Sequence, residues 1–146
     1  MKIVVTRPEH DDTTHYLSHW MKEVLKIAEK KGIKIVDLRR DRARRGEVEG
    51  VLRRQNPDFV IFNGHGASDR VGGHKNDVLI QVGMNESLLK SKVIYAVSCR
   101  SAQQLGPKSI EAGAITYVGY DDDFIFFYEP EMISRPLKDK RFFEFF

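Results

Sequence analysis

Five short apolar runs, at residues 3–6, 33–38, 58–63, 92–97 and 114–119, constrain this chain more than any other feature. Each is strand-length and rich in β-branched or aromatic residues, and helical or turn-forming sequence separates them. After the first run, Leu17, Trp20, Met21, Val24, Leu25 and Ala28 recur at the spacing of one helix face. Asp11-Asp12-Thr13-Thr14 supplies capping residues and acid at the start of that helix. Lys30-Lys31-Gly32 supplies cations and a left-handed stop at its end. A second helix is expected over residues 47–55, with Val48, Val51 and Leu52 inward, ending before Asn56-Pro57. A third is expected over 103–112, interrupted at Gly106-Pro107, and a short one over 85–91. Gly72-Gly73, between Arg70-Val71 and Val78-Leu79-Ile80, predicts a small hairpin after the third strand. Alternating strands and helices imply an α/β fold: a three-layer sandwich with a mostly parallel central sheet and helices on both faces.

Length and composition narrow the class. A chain of 146 residues is expected to be one domain over 1–146. Its 41% hydrophobic content is that of a globular protein rather than a disordered one. No apolar run reaches the roughly 18 residues of a membrane span. The chain enters Lys2-Ile3-Val4-Val5 without a signal-peptide pattern, so a cytoplasmic location is expected. One cysteine excludes an internal disulfide and a cysteine-rich zinc site, and neither metal nor cofactor is expected. Arginines crowd residues 39–45 without aromatic interleaving. They read as a solvated connection, and a nucleic-acid partner is not expected.

Two of the runs end in reactive turns. Phe59-Val60-Ile61-Phe62 leads to Asn63-Gly64-His65-Gly66, and Val93 to Val97 leads to Ser98-Cys99-Arg100-Ser101. In parallel sheets, sites lie beyond the carboxyl ends of strands. If these two strands are neighbours, the imidazole of His65 and the thiol of Cys99 share one edge. A thiol attacks as thiolate, and a nearby imidazole can take its proton. Tight-turn amides, here those of Gly66 and Cys99, are the candidate oxyanion donors. Ser68-Asp69 is a candidate for capping the hairpin excursion or orienting His65. Asp121-Asp122-Asp123 follows the fifth strand on the same side. It reads as a solvated turn or, with Asp69, as an acidic pocket for a basic substrate residue. His15 and His19, four apart, have metal-ligand spacing but oppose the apolar face, so an exposed pair is expected. His74, in a Gly-rich loop, is expected in solvent. Phe124 to Tyr128 and Phe142, Phe143, Phe145 and Phe146 are too apolar to be solvated. They are core cover or an interface for a second copy or a partner protein.

An apolar strand ending in His-Gly, followed by one ending in a small residue and Cys, resembles the caspase-like (clan CD) cysteine peptidases. That clan includes caspases, metacaspases, gingipains, clostripain, separases and CHAT domains. The strand–helix order preceding the His also fits, so the resemblance covers nearly the whole chain. It implies a caspase-like fold, a peptide or protein substrate, and a His65–Cys99 dyad without an obligatory third member. It also implies pairing through an edge strand. The chain departs from the pattern in four places. The His-to-Cys stretch is shorter than in caspases, and Ser101 stands where caspases and metacaspases frequently have Gly. Val97-Ser98 stands where relatives that cut after Arg or Lys often carry an acid. No further strand–helix unit follows the fifth strand, as in a minimal or C-terminally truncated domain. Two other readings stay open: a non-catalytic interaction or regulatory module of the same fold and, more distantly, a nucleic-acid-associated protein using the arginine run.

Overall fold

The structure, a computed structural model, describes residues 1–144, so the expectation for Phe145 and Phe146 lies outside the described residues. The elements in chain order are β1 (Lys2–Arg7), α1 (Asp12–Lys30), β2 (Lys34–Arg39), α2 (Arg45–Gln55), β3 (Phe59–Asn63), β4 (Gly66–Ala67), β5 (Arg70–Gly72), β6 (Val78–Gln81), β7 (Val93–Val97), α3 (Leu105–Glu111), β8 (Thr116–Val118) and α4 (Lys140–Phe143). Five strands form a parallel sheet in the order β2-β1-β3-β7-β8, and β4-β5-β6 form a small antiparallel sheet. The α/β architecture and the excursion after β3 are as the patterning predicts.

Handedness fixes the layers. From β1 the chain steps outward to β2, then returns across β1 to β3 and continues to β7 and β8. Right-handed crossovers place the helix on one face for the outward step and on the other for the return. Accordingly Ile3, Val5 and Ile61 pack with Met21, Leu25 and Ala28 of α1. On the opposite face Val4, Val60, Phe62, Ile94 and Ala96 pack with Val48, Val51 and Leu52 of α2 and with Leu105 of α3. The period-two alternation in β1, β3 and β7 divides their side chains between the two cores. The reversal at β1 and β3 is a topological switch point, where the loops leaving two adjacent carboxyl ends diverge and open a crevice.

A polar network ties β1, α1 and β2 together at that end. The buried Arg7 guanidinium donates to both carboxylate oxygens of Asp37, at 2.9 and 2.6 Å, and to the carbonyl and hydroxyl of Ser18. The Ser18 hydroxyl donates to Glu9, which also accepts from Arg39 and Arg40. Burial would raise the Glu9 carboxyl, but hydrogen bonds from Arg39, Ser18 and Arg40 hold it well below the usual range. The arginine run is otherwise largely exposed, apart from buried Ala43, whose carbonyl accepts from the His74 amide.

The C-terminal segment covers α1. Phe126, Tyr128 and Phe142 gather around Tyr16, and Phe142 stacks on Trp20. Ile125, Phe127 and Phe143 face outward. This cover changes two expectations. His15 and His19 are half-buried, and the segment reaches His15 on the face of α1 that the helical pattern assigns to solvent. His15 Nε2 donates to the Ile133 carbonyl, and His19 Nδ1 to the His15 carbonyl. His74 is likewise half-buried, packed edge-on against His10. Two helix boundaries also shift. Residues 85–91 form only a 3-10 turn over Glu86–Leu89, and α3 starts at Leu105 because residues before it are bonded to the neighbouring loops.

Candidate functional site

Asn63 and Val97 are register partners at the ends of β3 and β7. His65 and Cys99 therefore leave the sheet at the same level, each two residues beyond a paired position. Their turns are laced together. The Gly64 amide donates to the Val97 carbonyl at 3.2 Å, and the Ser98 hydroxyl to the Gly64 carbonyl at 3.0 Å. The Gln104 and Leu105 amides both donate to the Ser68 carbonyl. Gly66 packs tightly against the Cys99 turn. A Cβ there would sit 2.8 Å from the Ser98 Cβ and 3.1 Å from the Cys99 carbonyl oxygen. Since backbone must move to admit it, Gly66→Ala should cost about 1–3 kcal/mol by the overpacking scale. Urea unfolding would show this as a lower midpoint with an unchanged slope.

The imidazole of His65 points to a residue that sequence reasoning assigned only to a helix start. Its Nε2 is 2.6 Å from Asp11 Oδ2, while Asp11 Oδ1 accepts from the Thr14 amide and hydroxyl in the capping box of α1. Burial raises the Asp11 carboxyl, but the Thr14 amide and the His65 ring outweigh it and hold it below its ordinary value. An ionised carboxylate can only accept, so His65 donates through Nε2, and in the neutral ring the lone pair is then on Nδ1. Asp69, the orienting candidate, is instead held by Arg70 at 2.8 Å and by the Gln81 amide at 2.9 Å. The signal for Asp11 was the switch point: residues following β1 must meet residues following β3.

Cys99 is half-buried, and its Sγ accepts from the Phe124 amide at 3.3 Å. Among the described residues no hydrogen bond joins it to the His65 ring. The loop carrying it is braced by the chain after β8. The Arg100 and Ala102 amides donate to the Asp122 and Tyr120 carbonyls, and Gln103 Nε2 to the Asp121 carbonyl. Arg100 also pairs with the Asp123 carboxylate at 2.9 Å. The acidic run thus forms an exposed, bonded turn against the Cys99 loop, with the Asp123 carboxylate committed to Arg100. A cleft of about 270 Å³ lies beside the imidazole, lined by His65, Gly66, Arg70, Asn76 and Val78. Next to it His10, Asp11 and His65 each offer one ligand atom within 4.8 Å of the other two, a grouping with metal-ligand chemistry.

Among the described residues no helix is long and apolar enough to cross a membrane. No protein-family model matches the chain, and no curated protein matches it.

Proposed function

We propose that this chain is a cysteine-type peptidase of the caspase-like class, with Cys99 as nucleophile and His65 as general base and acid. The observation that carries the reading is the register of β3 and β7, which brings a His-Gly turn and the sole cysteine off adjacent parallel strands at one level. Asp11 adds to it by fixing the His65 tautomer through Nε2. In the reaction, His65 Nδ1 takes the thiol proton and the sulfur attacks the peptide carbonyl. The Gly66 and Cys99 amides are the proposed donors to the tetrahedral oxyanion. Collapse breaks the C–N bond while His65 returns the proton to the leaving amine. Water, deprotonated by His65, then hydrolyses the thioester and restores the thiol. The cleft beside His65 would receive a peptide or protein substrate.

Labelling with a thiol-reactive peptide probe tests this. Cys99 should be modified at least about 100-fold faster than free cysteine, and His65→Ala should remove about 10²–10⁴ of the rate. Cys99→Ala should abolish labelling. A Cys99 no more reactive than free cysteine, unaffected by His65→Ala, would sink the peptidase reading. It would favour a non-catalytic interaction module of the same fold, consistent with the separate partners that His65 and Cys99 have here.

A further inference from the structure

His10 is the most poorly satisfied polar group beside the site. Its side chain is only 10% exposed, and both ring nitrogens are buried without a hydrogen-bond partner. A buried imidazole N–H left unpaired is destabilising. The ring is nevertheless turned toward other potential ligands. Its Nε2 is 3.6 Å from Asp11 Oδ2, and its centroid is 5.9 Å from that of His65. The ring of His74 stands edge-on behind it at 5.7 Å. His10 and Asp11 lie in the loop after β1, and His65 lies in the turn after β3. The switch point of the sheet therefore collects all three.

We propose that His10 Nε2, Asp11 Oδ2 and His65 Nε2 form a divalent-cation site of the zinc class, whose filling withdraws His65 from Cys99. Two imidazoles and one carboxylate suit zinc, whereas magnesium and calcium prefer all-oxygen shells. Tetrahedral zinc with N and O ligands near 2.0–2.1 Å needs ligand atoms about 3.3 Å apart. The His10–Asp11 pair, at 3.6 Å, is close to that spacing already. The His65–Asp11 pair, at 2.6 Å, must open as the metal replaces the hydrogen bond between them. Three protein ligands leave a fourth position for water.

The second half of the proposal rests on the peptidase reading and follows from tautomers. In the metal-free site His65 carries its proton on Nε2 and offers Nδ1 as the base. Coordination uses the Nε2 lone pair, so the neutral ring must carry its proton on Nδ1 instead. No proton is gained or lost overall, but the nitrogen that would take the thiol proton is now occupied. The zinc-bound protein is therefore unable to activate Cys99 through His65.

Chelator-competition titration with Zn²⁺ on the full chain, combined with probe labelling, tests both halves. The wild type should bind one zinc, and His10→Gln and Asp11→Asn should each weaken binding by about 100-fold, while Cys99→Ala should leave it within about threefold. Cobalt(II) bound in place of zinc should give tetrahedral absorption bands without a thiolate charge-transfer band. Thermal melts of the two ligand variants establish that they are folded; Asp11→Asn keeps the cap oxygen for Thr14, so it guards against collapse of the His10 variant. Zinc should slow labelling of the wild type and leave the rate of His10→Gln unchanged. Zinc affinity lost in Cys99→Ala, or retained in His10→Gln and Asp11→Asn, overturns the site. If Cys99 is unreactive from the start, the peptidase reading fails while the affinities still decide the metal site. If zinc binds through these ligands and labelling is unaffected, the regulatory half is overturned.

Discussion

Asp37→Ala should destabilise the protein by about 3–5 kcal/mol, the cost of leaving a buried charge without its partner. The Arg7 side chain is only 4% exposed, and Asp37 takes two of its N–H groups in a bidentate pair. Ser18 satisfies a third nitrogen but carries no charge. Removing Asp37 therefore leaves the Arg7 guanidinium without its charged partner between β1, β2 and α1. For a chain of this size the melting temperature should fall on the order of 10 °C. Asp37→Asn, which keeps one acceptor, should lose less. The double replacement Arg7→Met with Asp37→Leu separates charge stranding from loss of packing, since it removes both charges while keeping apolar volume. It should recover most of the stability lost in Asp37→Ala. A double variant as unstable as Asp37→Ala would show that the pair's value lies elsewhere.

The second large effect is at the C-terminal cover. Asp139, 1% exposed, accepts from the Tyr16 hydroxyl at 2.6 Å and from the amides of Glu129, Arg141 and Phe142. Burial raises its carboxyl, but these four donors outweigh burial and leave it below the ordinary value. Conversely, burial and the adjacent Asp139 push the Tyr16 phenol well up. Asp139→Ala should cost about 3–4 kcal/mol, because each buried donor left unpaired costs about 1–3 kcal/mol and some can reach water. Its loss should free Phe142 from Tyr16, visible as faster hydrogen exchange in residues 129–143. A carboxyl with a depressed folded-state pKa stabilises above its unfolded value, about 3.9. That contribution is lost as pH falls through the folded pKa. Stability should therefore drop as the wild type is acidified below about pH 4. The drop should be shallower in Asp139→Asn, which has no such proton to gain. Equal slopes in urea midpoints against pH would refute this.

The strands and α1 were legible because period two and period 3.6 are local signals, and each of the five apolar runs became a strand of the main sheet. The adjacency of β3 and β7 was also readable, since it needed only an ordinary α/β order. Asp11 was not. Its cap role is encoded by neighbours three residues away, but its bond to His65 spans a chain separation that no periodicity reports. The same holds for His15 and His19. One helix face predicts their exposure, whereas the chain that meets His15 arrives more than a hundred residues later. The contact of the acidic run at 121–123 with the Cys99 loop is made through backbone carbonyls, which composition does not reveal.

The two oxygens of Asp11 belong to different tenants: Oδ1 closes the first turn of α1 and Oδ2 holds the His65 ring. In genetic terms the position is pleiotropic. Alanine there removes helix start and ring anchor together, so an inactive variant would not reveal which was lost. Asparagine splits them, because its oxygen can still face Thr14 while its amide turns a donor toward the imidazole. A ring facing that donor must accept through Nε2 and move its own proton to Nδ1. One isosteric substitution would thus reverse the polarity of the imidazole while α1 stays folded.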